Sequence, residues 1–258
     1  MILYNTSLPC GYVLAMDGFE SEHGAIDESR LRYKKLYEDG SDESKYLADK
    51  LWDCCERNIR CNSAACKICS RILRLYLVET LVQNVGIKAD EYSLVTVIFY
   101  DSVISDCRDI NLVSLKERLR KMITRSGIKN AVIGAFEMDY EPKEKQWYPH
   151  FHLLMPKSND LKLFKERFKR NQRSAPSRNG KRKIPLKEDN LNNPVEQISY
   201  IFKYMWQQLP WSNQGGKRRL SNEQFCSYLV FVNEQGHRRL MFLYKARLEG
   251  GLLKLKSP

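Results

Sequence analysis

Five of the chain's eight cysteines fall between Cys54 and Cys69, in the run WDCCERNIRCNSAACKICSRILRLYLVETL, while Cys10, Cys107 and Cys226 stand apart. Thiols crowded in this way are tied together, and the tie restricts every fold that can surround them. The first residues, MILYNTSLPCGYVLAMDGF, carry no basic segment ahead of apolar ones, so no secretory leader is expected and a disulfide framework is disfavoured. Metal is the better reading. Cys66 and Cys69 form a C-x-x-C whose tight turn aims two thiolates at one ion, and Cys61 is a third ligand. Adjacent side chains seldom serve one ion equally; we assign Cys55 as the fourth ligand, with Cys54 as the alternate. Four thiolates leave no open coordination position, so the expected ion is a structural Zn2+ in a small knuckle. Buried structural cysteines and a redox pair are the competing readings, the second weakened by the lack of a thioredoxin-like strand before the C-x-x-C.

Charge is as uneven as cysteine. The 258 residues carry a formal charge of +12, which points to nucleic acid or another polyanion, and 43% are hydrophobic, enough for a folded core. No stretch approaches the roughly 18 consecutive apolar residues of a membrane span. A cytoplasmic protein without a membrane partner is expected. Residues 1–50 hold ten acids against six bases, whereas 161–190 hold eleven bases against three acids. The basic stretch supplies the candidate DNA-binding residues Lys169, Arg170, Arg173, Arg178, Lys181, Arg182 and Lys183. It lies in the chain between the two motifs described below, where a nucleic-acid backbone is expected to pass. Its bland reading is a solvated helix running into a loop.

Helical spacing of Ile72, Leu73, Tyr76, Leu77 and Leu81 continues the cysteine run as a helix. Leu94 to Tyr100 reads as a buried strand, and Leu112, Leu115, Leu119 and Met122 mark a helix that ends near Gly127. Strands are expected at 131–140 and 147–155, joined by EPKEKQ. Helices follow at about 158–170 and from Pro194 to about Gln208, and 226–248 reads as mainly extended with a turn near Gly236. The fold class is α+β, with helices packed on a central antiparallel sheet and a four-cysteine zinc knuckle before it. The expected divisions are an acidic segment at 1–50, the knuckle and its helix at 51–90, and one domain at 91–258.

Side chains alternate along a strand, so His150 and His152 share a face, about 7 Å apart at Cα, while Phe151 points the other way. Pairing the hairpin about a midpoint near 143.5 places Glu137 opposite His150 and Asp139 opposite Tyr148. Two imidazoles and a carboxylate, with Asp139 in reserve, suit a catalytic metal. Pro149 cannot donate to a ladder and should mark a strand entry or an edge. On the predicted helix after Pro194, Glu196, Tyr200 and Tyr204 form a row with Lys203 beside Tyr200. A tyrosine is a poor nucleophile unless a neighbouring cation favours its phenolate, and Lys203 can be that cation.

Tyr148-Pro149-His150-Phe151-His152-Leu153-Leu154 resembles the histidine-hydrophobe-histidine motif of the HUH endonucleases, and Tyr200-Ile201-Phe202-Lys203-Tyr204 resembles their tyrosine motif. The likeness covers about residues 92–208 and is nearest to the rolling-circle replication initiator (Rep) proteins of plasmids and phages, some of which carry cysteines ahead of this region. It implies a ferredoxin/RRM-like sheet and a Mg2+ or Mn2+ ion held by His150, His152 and Glu137. It also implies tyrosine attack on single-stranded or cruciform origin DNA, leaving a 5′-phosphotyrosine link and a free 3′-OH. Tyr200 is the first choice as nucleophile, since Lys203 then takes the family's position three residues on. Either Glu196, by activating water, or Tyr204, as a second nucleophile, would end the cycle. A host helicase is a further candidate partner. The alternatives are a two-tyrosine HUH transposase and a non-catalytic zinc-containing DNA-binding regulator.

Overall fold

The computed structural model describes residues 19–84, 87–172, 177–178, 181–182, 184–210, 216, 218–249 and 252–255. Apolar alternation in the central sequence builds a six-stranded, mostly antiparallel sheet. Its long strands are β1 (Tyr92–Ile98), β2 (Val132–Glu141) and β3 (Gln146–Pro156), with β4 (Leu186–Asn190) on one edge, in the order β4-β1-β3-β2. Beyond β2 lie two short strands: β5 (Gln207–Gln208), parallel to its end, and β6 (Met241–Tyr244), antiparallel to its start. The β2–β3 hairpin has the anticipated register, with Glu137 opposite His150 and Asp139 opposite Tyr148. Pro149 is tolerated because its carbonyl accepts from the Phe99 amide at 2.9 Å, so its ring nitrogen faces the side where the β1 ladder has ended at Ile98–His150.

Helices cover the sheet face that carries Val97, Phe136, Phe151 and Leu153. Helix α4 (Leu112–Arg125) and helix α5 (Asn159–Asn171) bury Leu115 and Leu119, and Phe164 and Phe168, respectively. Phe99 links this layer to the sheet, 5.2 Å from Phe168 and 5.9 Å from Phe151 between ring centroids. Gly127 follows α4 with φ +86°, the left-handed conformation expected of a helix-ending glycine.

The chain ahead of the sheet is helical. Ser21 caps α1 (Glu22–Asp39) and Ser41 caps α2 (Asp42–Glu56), each hydroxyl accepting an orphan amide; Gly40 at φ +79° turns one into the other. The acidic lead is therefore a helical hairpin from residue 22 onward, and residues 1–18 lie outside the described residues. Helix α3 (Lys67–Glu79) starts at the C-x-x-C and passes into one π-turn at Thr80–Asn84.

Two expectations fail. The helix after Pro194, α6, covers only Pro194–Ile201, because the backbone turns away and Tyr204 takes φ +45°. Residues 226–240 are not extended but belong to α7 (Asn222–Leu240), broken at Gly236 with φ 63°. Phe225, Cys226, Tyr228, Leu229, Val230, Phe231 and Val232 are all buried, so the middle turns of this helix are apolar nearly all round and show no amphipathic stripe. Its aromatic and β-branched content then reads as strand. A terminal hairpin of β7 (Ala246–Glu249) and β8 (Leu252–Leu255) completes the fold, with the Leu253 amide bonded to the Tyr76 hydroxyl of α3.

Gly134 of β2 lies tight against the backbone of β3. A Cβ there would fall 2.1 Å from the His152 carbonyl oxygen and 3.0 Å from the Leu153 Cα, both backbone atoms. Gly134→Ala should lower stability by at least about 2 kcal/mol in urea denaturation.

Candidate active site

Glu137, His150 and His152 meet on the sheet face opposite Phe151, each less than a tenth exposed. The Glu137 Oε2 atom is 4.0 Å from His150 Nε2 and 3.6 Å from His152 Nε2, and the donor atoms of all three lie within 4.8 Å of one another. An ion bonded to nitrogen and oxygen at about 2.1 Å needs donors roughly 3.0–3.5 Å apart, so a small inward movement would close the site. His152 Nε2 is buried with no hydrogen-bond partner among the described residues, so its lone pair is available to a metal ion. These residues fit a metal ion.

The other ring nitrogens fix this orientation. His150 Nδ1 lies 3.1 Å from the Tyr148 carbonyl, which can only accept, so the proton sits on Nδ1 and the Nε2 lone pair faces the cluster. His152 Nδ1 lies 2.9 Å from Thr96 Oγ1 on β1, and the same tautomer serves it when Nδ1 donates to the hydroxyl. Thr96 is a site residue that the sequence reading missed, although it is the sole hydroxyl residue in the run LVTVIF. The second oxygen of Glu137 accepts the Met205 amide at 3.3 Å, which ties the chain after α6 to the cluster. Asp139 is not part of the triad.

Tyr200 comes to the same place from α6. Its ring centroid is 5.2 Å from that of His152 in an edge-on arrangement, and the residue remains 41% exposed. Lys203 Nζ stands 5.8 Å from the centre of the Tyr200 ring. Glu196 is exposed one turn earlier, its carboxylate accepting from Asn193 Nδ2 at 3.0 Å. Tyr204 does not join the row. The helix has ended before it, and its side chain is 1% exposed with its ring against His237.

The thiolate cluster consists of Cys54, Cys61, Cys66 and Cys69. Sulfur–sulfur distances of 3.6 Å (Cys54–Cys69), 3.6 Å (Cys54–Cys66) and 3.8 Å (Cys61–Cys69) match the edge of about 3.8 Å expected for a tetrahedron of metal–sulfur bonds near 2.3 Å. The fourth cysteine of the cluster is thus Cys54 and not Cys55. Cys54 continues the buried stripe Leu47, Leu51 of α2, while Cys55 points about a quarter-turn away and its sulfur lies 3.7 Å from the Ile26 carbonyl. Hydrogen bonds from the thiols of Cys61, Cys66 and Cys69 hold Cys54 far below the ordinary thiol range, while the same bonding to Cys54 pushes Cys61 and Cys66 above it. Burial and then Glu56 push Cys55 up to about 11.

Lys169 and Arg170 end α5, which packs through Phe164 and Phe168 on the face opposite the triad, so they do not border it. Arg173 and Lys183, and the side chains of Arg178, Lys181 and Arg182, lie outside the described residues.

Cobalt titration should distinguish the two adjacent cysteines: Cys54→Ser loses the thiolate-to-cobalt absorption of a tetrahedral site, and Cys55→Ser keeps it. Thr96→Val should weaken Mn2+ binding at the triad by about 10-fold or more in calorimetry, since an outer hydrogen bond orients the ligand. No family model, curated protein or solved structure matches the chain.

Proposed function

We propose that this chain is a single-strand DNA endonuclease of the HUH type, acting as a rolling-circle replication initiator. The observation that carries the reading is a partly exposed tyrosine, Tyr200, set edge-on against His152 of a buried Glu137–His150–His152 triad. A divalent ion held by the triad, Mg2+ or Mn2+, would supply Lewis acidity at a phosphate oxygen. Tyr200 is the nucleophile: its Oη forms a bond to phosphorus as the bond from phosphorus to the 3′ oxygen breaks. The phenolic proton passes to solvent and the leaving oxygen is protonated, giving a 5′-phosphotyrosine and a free 3′-OH that can prime synthesis. The Lys203 ammonium favours the phenolate and attracts the phosphate.

Burial of Tyr204 supports one tyrosine nucleophile rather than two, which favours the initiator over the two-tyrosine transposase. Glu196, on the same helix face one turn from Tyr200, is then the candidate base for the water that ends the cycle. The soft, fully thiolate set of Cys54, Cys61, Cys66 and Cys69 suits Zn2+ in a structural role. DNA is the partner suggested by the net charge of +12.

The test is a denaturing gel of the protein with Mn2+ and a 3′-labelled random-sequence pool of single-stranded DNA. The unaltered chain should carry label into a covalent band. Tyr200→Phe should abolish that band, Tyr204→Phe should retain it, and joint replacement of His150 and His152 by Ala should reduce it by at least about 100-fold. A band that survives Tyr200→Phe and disappears with Tyr204→Phe would overturn the assignment. Salt-dependent binding without any band would make the chain a DNA-binding regulator.

A further inference from the structure

Arg74 is one of two arginines buried among the described residues, at 5% exposure, and its guanidinium is used on two sides. Nη1 donates to Glu20 Oε1 at 2.6 Å, and Phe19 lies beneath the group at 4.7 Å. On the other side Nη2 donates to Ser199 Oγ at 2.7 Å and Nε to the Ser199 carbonyl at 3.2 Å. That carbonyl would accept the amide of residue 203 if α6 continued. The Lys203 amide bonds instead to the Tyr200 carbonyl at 3.2 Å, and Arg74 takes the acceptor it leaves. A guanidinium at this position also meets the negative end of the helix. Burial lowers the Arg74 guanidinium below its ordinary value, and the charges of Glu20 and Glu137 oppose that lowering.

The origin of Arg74 gives this contact its meaning. It lies on α3, which starts at Cys66 and carries Cys69, and Lys67 on the same helix pairs with the same Glu20 at 2.7 Å. A cation fixed to the thiolate-bearing helix therefore closes the last turn of the tyrosine-bearing helix, one residue before Tyr200. From there the chain turns through Tyr204 and delivers the Met205 amide to Glu137.

We propose that Arg74 is a positioning residue which couples the thiolate cluster to the tyrosine centre: metal at the four cysteines holds α3, and Arg74 uses α3 to set the end of α6 and hence Tyr200. The catalytic half of this inference rests on the endonuclease reading; the structural half does not.

The experiment compares the full, metal-loaded chain with Arg74→Gln, Arg74→Lys and Ser199→Ala, the last removing only one acceptor. Hydrogen exchange followed by mass spectrometry should show the amides of 201–205 exchanging about 5- to 10-fold faster in Arg74→Gln and Ser199→Ala. Arg74→Lys should recover part of the protection. Stripping the thiolate metal from the unaltered chain with a chelator should accelerate the same amides. The covalent band should form about 10- to 100-fold more slowly in Arg74→Gln, with retention of the DNA pool and cobalt stoichiometry at the cysteines unchanged. Unchanged exchange at 201–205 in both Arg74→Gln and Ser199→Ala overturns the coupling, as does unchanged exchange on metal removal. Exchange changes as expected, with no covalent band from the unaltered chain, would overturn the endonuclease reading and leave the coupling standing.

Discussion

The site depends on the register of the β2–β3 hairpin. Side chains alternate with period two, so a slip by one residue would send His150 and His152 into the layer occupied by Phe164 and Phe168 and bring Phe151 to the face that carries the triad. Three features hold the register. Phe136 and Phe151 are cross-strand partners whose rings lie 5.2 Å apart in the core. Gly134 permits a backbone approach that no residue with a Cβ could match. Pro149 accepts only the neighbour it has, because its nitrogen cannot enter a ladder. The triad is a consequence of this register: with Glu137 opposite His150, the carboxylate is already between the imidazoles.

A second constraint is the set of charges buried among the N-terminal helices. Arg32 is 2% exposed and donates to the Ala65 carbonyl in the loop of the cysteine cluster, with Glu28 as its counter-ion. Glu20 balances both Lys67 and Arg74, and burial still pushes the Lys67 ammonium down to about 8. Buried ion pairs add little net stability, since desolvation cancels much of their attraction, but removing one partner is expensive. Their effect is to permit one arrangement of the loop and helix α3. In this molecule that arrangement also decides where α6 stops.

The thiolate cluster and the triad are built on different principles. The cysteines come from one short span of chain and need only a helix end, a loop and a second helix to converge. The triad needs two strands in register, a third strand to supply Thr96, and a helix from later in the chain to bring Tyr200. Its outer contacts, to the Tyr148 carbonyl, Thr96 and the Met205 amide, leave the two Nε2 atoms and one carboxylate oxygen facing inward.

Local pattern determined a good part of this protein. Strand alternation about a short polar loop gave the hairpin and placed Glu137 against His150, and cysteine spacing gave three of the four thiolate positions. Both depend on neighbours in the chain, whose geometry is set by backbone periodicity. The remainder was decided by contacts between distant segments. Cys54 was selected over Cys55 by the buried face of α2, a stripe visible at Leu47 and Leu51 but meaningful only once α2 has a partner. Helix α7 could not be read from its first half because burial of Phe225, Cys226 and Tyr228 to Val232 on nearly all sides removes the periodicity that marks a helix. Tyr200 and Tyr204 are equivalent in spacing; only the end of α6, closed by an arginine more than a hundred residues earlier, leaves one beside the histidines and buries the other. A sequence carries such long-range pairings without displaying them, because their energy depends on distances that exist only after the chain has folded.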